Sequence, residues 1–215
     1  MVKAHMVRMR RRTSTKSLSM TLVLRSFLRR RGGASRDSNN VERRRASEII
    51  RHISMRHADD CFLAFILNSG EDLFKIQGYH GNENYYEPEN SYLNKVIDRR
   101  EGNPISLCLI YLLLARRLHL PITGIGMPGH FLCRFQTPTE ELFIDAFNSG
   151  KNLTKGDCVK YLLHTRDGFK EAYLAPITTR RTLLRVCSHL HQIYSQQSRK
   201  NDIARFQRYI VALAK

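Results

Sequence analysis

The stretch RREGNPISLCLIYLLLARRLHLP, residues 99–121, decides the fold, because it starts a helix sharply and makes that helix apolar on every side. Asn103 is a favourable N-cap, and Pro104 suits the first helical position, where its missing N–H is not needed. The apolar residues that follow occupy all faces of a helix, so other elements must enclose it. The sequence therefore predicts a buried central helix with a constrained start.

The composition of the 215-residue chain is that of a soluble globular protein with one core. Its 36 Lys and Arg against 19 Asp and Glu give a formal net charge of +17. Residues 1–45 hold 14 of the basic and 2 of the acidic side chains, which leaves 22 basic and 17 acidic side chains for the rest. The excess charge is thus mostly a property of the N-terminal segment, and the remainder does not indicate a DNA-reading surface.

Residues 1–40 are rich in Arg, Ser and Met and contain no acidic residue before Asp37. We expect a basic, disordered tail. The same composition also fits an organelle transit segment, a basic arm for nucleic acid or anionic lipid, or an extension upstream of a later start codon at Met20 or Met55. The longest strongly apolar run, residues 107–115, is far below the roughly 20 residues that span a membrane.

The five cysteines are odd in number, widely spaced and set in apolar or amphipathic segments. This pattern indicates reduced, packed thiols and predicts a cytoplasmic protein. Cys187, His189 and His191 have spacing that suggests a metal site, but on a helix 187 and 191 share one face and 189 points away. We therefore expect no metal site, and the sequence indicates no cofactor.

The order of the predicted elements, helices, then short strands, then helices, gives an α+β fold. The boundaries predict a basic tail over 1–40, a core domain over 41–177 and a helical hairpin of tetratricopeptide character over 178–215, packed on the core. Periodicity and turn signals predict helices from residue 41, over 59–70, 91–100, 154–165, 178–197 and 201–214, a loop over 78–91, and a three-stranded antiparallel meander over 122–126, 130–135 and 142–147.

A short loop at residues 137–140 would place His130 opposite or diagonal to Asp145 on adjacent strands. The start of a buried helix offers free N–H groups and partial positive charge, which suit a nucleophile or an oxyanion. A cysteine on a buried helix start, a histidine on the next strand and an aspartate one strand later is the chain order of a papain-like or transglutaminase-like triad. The alternative is a histidine near a strand end and an aspartate that is solvated or caps a helix.

No cysteine lies at the start of the central helix, so other residues would have to supply a nucleophile. Ser106 lies in the first turn, near the free N–H groups. Cys108 lies four positions after Pro104, in an apolar wall that would raise the pKa of its thiol. Cys133 is an odd number of residues from His130 on the strand and would point to the opposite face.

Polar residues near His130 predict a cleft that binds an anion or a peptide. Gly129 lies in the Met-Pro-Gly turn before His130, where it either admits a ligand or only makes the turn. Charge pairs on a solvated surface are the alternative for the arginines. The candidate binding residues are Asn90, Tyr92, Arg99, Arg100, Asn103 and Gly129.

Three segments together resemble one known family: NSYLNKVIDRREGNPISLCLIYLLLARRLHLP (90–121), GIGMPGHFLCRF (124–135) and LFIDAFNSG (142–150). They are similar to the SirB-type branch of the transglutaminase-like superfamily. The similarity runs from about Gly78 to Gly150, continues more weakly through the C-terminal helices, and is absent from residues 1–58.

The resemblance implies a transglutaminase-like (papain-like) core, with a central buried helix on a small antiparallel sheet, followed by tetratricopeptide-like helices. In the enzymes of this superfamily Gly-x-Cys opens the central helix, and here that position reads Gly102-Asn103-Pro104. His130 and Asp145 match the other two triad members. The resemblance thus implies a degenerate, non-enzymatic interaction or regulatory module with a protein or peptide partner.

Two other functions remain open from the sequence. One is an acyl-transfer or amide hydrolase that uses Ser106 or Cys108, with His130 as base and Asp145 as orienting carboxylate. The other is nucleic-acid binding through residues 1–45.

Overall fold

A computed structural model describes residues 72–117 and 120–214. The basic tail and the helices expected before residue 71 lie outside the described residues. Short π- and 3-10-helical turns occur at Asp72–Ile76, Pro88–Ser91 and Glu171–Leu174. The helices are α1 (Leu93–Arg99), α2 (Pro104–Arg117), α3 (Lys155–Leu163), α4 (Thr179–Gln196) and α5 (Lys200–Ala214), and the strands are β1 (His80–Gly81), β2 (Glu101–Gly102), β3 (Ile122–Ile125), β4 (Leu132–Gln136), β5 (Glu141–Asp145) and β6 (Lys151–Leu153). The predicted α+β class is confirmed.

The main sheet is an antiparallel meander in the order β3-β4-β5-β6. We predicted three strands, and the fourth, β6, was missed because Lys-Asn-Leu is short, polar and without alternation. The loop at residues 137–140 was predicted correctly: it joins Gln136 and Glu141, which face each other in register. A second sheet is formed by β1 and β2, which pair in parallel. β1 lies within the stretch 78–91 that we predicted to be a loop, and β2 follows the predicted helix 91–100.

The sheet is buried on both faces, which explains why its strands lack a clear apolar–polar alternation. Cys133, Phe135 and Ile144 belong to the main core, which contains α2. Leu132 and Phe143 face the other way, into a smaller core with Cys158 and Leu162 of α3 and with Leu174. The sheet therefore lies between the central helix and α3.

The central helix α2 is enclosed, as its sequence predicts. It contacts β3, β4, α1 and α4. Its residues from Ile105 to Tyr111 are all buried. Enclosure on this scale makes α2 the centre of the core and fixes where its N-terminus points.

The C-terminal helices α4 and α5 form a hairpin that shares the main core, with five buried residues in it: Val186, Cys187, Leu190, Tyr194 and Phe206. The rings of Tyr194 and Phe206 stack at 5.7 Å. The hydroxyls of Tyr194 and Tyr92 are 2.7 Å apart, which ties the hairpin to the first residue before α1. Among the described helices, none is long and apolar enough to cross a membrane.

Candidate functional site

The start of α2 is fixed by a reciprocal hydrogen-bond cap. Asn103 Oδ1 accepts a hydrogen bond from the Ser106 backbone N–H at 2.9 Å, and Ser106 Oγ accepts one from the Asn103 N–H at 3.1 Å. This is the capping-box arrangement, with serine in the place usually taken by Glu or Gln. Asn103 Nδ2 also donates to Ser91 Oγ at 2.8 Å. The helix start is therefore held rigidly against the preceding loop.

The two residues that we proposed as substitute nucleophiles are both buried. The Ser106 hydroxyl is 2.6 Å from the carbonyl oxygen of Asn90, to which it donates, and the residue is 1% exposed. Cys108 is 0% exposed, and its Sγ is 3.4 Å from the carbonyl oxygen of Phe131. Burial, with contributions from Cys133 and Asp145, raises the pKa of the Cys108 thiol well above its ordinary value. Both side chains act in this structure as packing and capping groups.

His130 and Asp145 meet, as the short β4–β5 loop predicts. His130 Nε2 lies 2.9 Å from Asp145 Oδ2, and their side chains are 13% and 7% exposed. His130 precedes β4 by two residues, while Asp145 ends β5. The contact is the diagonal one expected between neighbouring antiparallel strands.

Asp145 is held as a carboxylate by several donors. Its Oδ1 accepts from the backbone N–H groups of Phe147 and Asn148, at 3.1 and 3.2 Å, and its Oδ2 also accepts from Asn148 Nδ2 at 2.7 Å. Burial alone would raise the pKa of Asp145, but the hydrogen bonds from His130 and Asn148 outweigh it and lower the pKa below its ordinary value of 3.8.

The ionised partner assigns the tautomer of His130. Because a carboxylate only accepts hydrogen bonds, the hydrogen of the neutral imidazole lies on Nε2, toward Asp145. Nδ1 then carries a free electron pair and has no hydrogen-bond partner within residues 72–117 and 120–214. The contact with Asp145 therefore orients the His130 ring so that Nδ1 can act as a hydrogen-bond acceptor or a base.

His130 lines a cleft of about 450 Å³ at the start of α2. Its walls come from three regions: the loop before α1, the start of α2 with the turn before β4, and one face of α4. The lining residues are Tyr85, Tyr86, Pro104, Ile105, Gly129, His130, Arg185, Ser188, His189 and Gln192. Pro104 and His130 thus line one cleft.

Of the six residues that we expected to bind a ligand, Gly129 lines this cleft and the others lie elsewhere. Asn90, Tyr92 and Asn103 are buried, and hydrogen bonds within the protein already occupy their side chains. Arg99 pairs with Glu87 at 2.9 Å and Glu101 at 3.5 Å on the surface, which is the alternative that we gave for the arginines. Arg100 ends α1 with a left-handed backbone, φ 61°.

Sequence reasoning missed the α4 wall of the cleft. Four lining residues of α4 have the spacing i, i+3, i+4, i+7 and so form one polar stripe on the helix: Arg185, Ser188, His189 and Gln192. That spacing is visible in the sequence, but a polar stripe on a helix usually faces solvent. Nothing in the sequence indicates that this stripe would face His130. Within the described residues, no cluster of three His, Cys, Asp or Glu side chains could hold a metal ion.

We expect Asp145→Asn to lower the free energy of unfolding at pH 7 by about 1–3 kcal/mol, because it leaves buried donors without a charged acceptor. The folded-state pKa of Asp145 is lowered, so its stabilising contribution is present above its unfolded pKa and is lost as the pH falls through the folded value. The difference between wild type and variant should therefore shrink below about pH 4. Urea titrations from pH 7 to pH 2 measure it.

Asp167→Asn is the control, since Asp167 is exposed and makes no ion pair with the described residues. It should change stability by less than about 0.5 kcal/mol. An Asp145→Asn deficit that stays constant with pH would mean that the carboxylate charge is not what stabilises this corner.

Comparison with known proteins identifies the superfamily of this chain. The family model described as Transglutaminase-like superfamily matches residues 2–188. The chain belongs to the transglutaminase-like superfamily. The match starts at residue 2, so our expectation that residues 1–58 lie outside the family similarity was wrong.

Several curated proteins are similar to this chain. A UPF0162 protein from Xylella fastidiosa is 39% identical over 140 residues, which is 62% of this chain and 50% of that protein. A UPF0162 protein from Pseudomonas aeruginosa is 33% identical over 123 residues, 55% of this chain and 44% of that protein. F-box only protein 21 from Homo sapiens is 39% identical over 94 residues, 40% of this chain and 15% of that protein.

This transglutaminase-like chain spans about half the length of the UPF0162 proteins that it matches. No solved structure matches it.

Proposed function

We propose that this protein is a degenerate member of the transglutaminase-like superfamily. It binds a protein or peptide segment in the His130 cleft and catalyses no reaction on that segment. The observation that carries the proposal is Pro104. It forms the first turn of α2 in the wall that His130 also lines, and its ring supplies neither a thiol nor a hydroxyl. The base and its carboxylate are kept, and the group that they would activate is missing.

The cleft has the size and surface of a binding site. Its volume of about 450 Å³ lies in the range of small-ligand pockets and would take a few residues of a peptide. The tyrosine rings of Tyr85 and Tyr86 supply apolar surface with polar tips, and the latter is 54% exposed. The stripe on α4 adds hydrogen-bonding groups on the opposite side.

An acyl-transfer or amide hydrolase activity is the second candidate, and the 2.9 Å contact between His130 and Asp145 favours it. That activity would need the Ser106 hydroxyl to leave the Asn90 carbonyl, or the Cys108 thiol to leave an apolar wall where its pKa is raised. Each change breaks buried contacts before any chemistry begins. The non-enzymatic function is therefore the better supported of the two.

Covalent labelling of the folded full chain distinguishes these functions. We expect no labelling of Ser106 by a fluorophosphonate and none of Cys108 by iodoacetamide, both mapped by peptide mass spectrometry. The same reagent should label Cys108 once the chain is unfolded in urea, because its thiol is then exposed, which serves as the internal control. Labelling of either residue in the folded chain that disappears in His130→Ala would overturn the proposal in favour of the hydrolase.

Nucleic-acid binding through residues 1–45 remains a prediction of the sequence. It is favoured by the 14 basic and 2 acidic side chains of that segment. That segment lies outside the described residues, so this function is tested by deleting residues 1–40 and measuring retention on RNA or DNA.

A further inference from the structure

The His130 cleft has basic but no acidic side chains among its described lining residues. Arg185, His189 and His130 line it, and the other lining side chains are hydroxyl, amide or apolar. Asp145 is behind His130, and both of its oxygens already accept hydrogen bonds from the protein. Among the described residues, the lining of the cleft therefore presents positive charge and no carboxylate.

Arg185 is the main source of that charge. Its Nη2 donates to the carbonyl oxygens of Met127 at 2.8 Å and His130 at 3.2 Å, and the guanidinium lies 5.7 Å from the centre of the Phe131 ring. These contacts fix the group in place. They leave Nε and Nη1 without an acceptor within residues 72–117 and 120–214.

No Asp or Glu of the described part of the chain pairs with Arg185. Burial lowers the pKa of Arg185, yet a guanidinium remains charged at neutral pH. Partly burying an unpaired charge costs free energy, so an anion that entered the cleft would remove that cost.

His189, one turn further along α4, is a second observation that favours an anionic ligand. Its Nε2 is buried and has no hydrogen-bond partner among the described residues. Its ring lies 5.3 Å from that of Tyr85 and 6.3 Å from that of Tyr86. Burial and the charge of Arg185 lower the pKa of His189, so the ring is neutral at pH 7 and can donate one hydrogen bond.

We propose that Arg185 and His189 form a subsite for a carboxylate of the bound peptide, either its C-terminal group or an Asp or Glu side chain. The inference rests on the proposed function, since it names the ligand chemistry of the same cleft. One guanidinium beside a neutral imidazole matches the single charge of a carboxylate, whereas a phosphorylated side chain carries a charge of about −1.5 to −2 at pH 7. The half-exposed Tyr86 ring would contact the residue beside the carboxylate.

Three pools of N-acetylated tetrapeptides test the proposal on the immobilised full chain. The first has neutral side chains and a free C-terminal carboxylate, the second the same sequences as C-terminal amides, and the third amides with one Glu. We expect the first or third pool to be retained about tenfold or more above the second, because charge-assisted hydrogen bonds are the stronger ones. The pool that is enriched identifies the source of the carboxylate.

Ser188 gives a sharp pair of variants, because it is exposed and lies three residues after Arg185 on the same face of α4. Ser188→Asp places a competing carboxylate beside the guanidinium and should abolish the preference for the acidic pools. Ser188→Asn has nearly the same shape as Ser188→Asp without the charge, so the difference in acidic-pool preference between the two variants isolates the effect of the added carboxylate. Neither change touches the core.

Arg185→Gln should also abolish the preference, while Arg181→Gln, an exposed arginine on the same helix, should not. Equal retention of all three pools would overturn the carboxylate subsite and leave peptide binding intact. Retention of none would overturn both the subsite and the proposed function. An acidic preference that survives in Ser188→Asp would also overturn the subsite.

Discussion

Replacing Phe135 with alanine will lower the free energy of unfolding by about 3–5 kcal/mol. Phe135 is 0% exposed in the second strand of the meander, between Ile122 and Leu142 on its neighbours. Its ring belongs to the core that encloses α2, so its loss leaves a cavity that the rigid surroundings cannot fill. Denaturation in urea, with the midpoint shifted and the slope unchanged, is the measurement.

Phe169→Ala is the matched control, because Phe169 is 36% exposed and lies in the segment between α3 and α4. We expect it to cost about 1 kcal/mol or less, because part of the Phe169 ring is already in contact with water in the folded state. Similar costs for the two substitutions would mean that β4 does not turn Phe135 toward α2. The loss expected for Phe135→Ala is a large part of the roughly 5–15 kcal/mol that stabilises a typical domain. The Phe135 variant should therefore also unfold at a clearly lower temperature.

The central helix could be predicted because its signals are local. The N-cap Asn103, the proline after it and an unbroken apolar run lie within one short stretch, and the structure starts the helix at Pro104. The strands β3, β4 and β5 were also predicted to within about two residues. The fourth strand, β6, was not, since its three residues carry no apolar pattern and pair only because the tight turn after Asp145 returns the chain to β5.

In the candidate site, the contact between His130 and Asp145 could be predicted because it is local, whereas the contribution of α4 could not. His130 and Asp145 are 15 residues apart across one hairpin, so loop length alone brings them together. Arg185 reaches the carbonyl of His130 across 55 residues, and the packing of α4 on the core decides that contact. Tyr85 likewise comes from the loop before α1. Sequence periodicity gives a helix and its faces, but it does not say which face meets which partner.

The buried polar groups of the site explain why several expected ligand-binding residues are not in the cleft. Asn90 accepts from Asn82 Nδ2 at 3.1 Å and donates to the carbonyl of Asn84 at 2.8 Å, while its own carbonyl receives the Ser106 hydroxyl. Polar residues in a loop look available for ligands in a sequence, but here they satisfy the backbone at the start of α2. The loop is thereby fixed, and its tyrosines line the cleft.

Replacing Gly150 with alanine will cost about 2–5 kcal/mol, because it combines backbone strain with overpacking. Gly150 has φ +74° at the end of the turn after Asp145, and its N–H donates to the Asp145 carbonyl at 2.9 Å. A Cβ at this position would overlap the buried ring of Phe74. The strain falls on the turn that supplies Asp145 with its backbone donors, so the variant should also lose part of the acid-dependent stability that this carboxylate contributes.

Gly78→Ala separates the two causes, because Gly78 has φ +70° but a Cβ there would meet no atom of the described residues within 4 Å. It should cost only the left-handed strain, about 1–2 kcal/mol. Urea denaturation of both variants gives the two costs, and their difference is the contribution of the Phe74 contact. Equal costs would mean that the Phe74 ring yields to the added methyl group, so that the turn after Asp145 is less tightly packed than the structure has it.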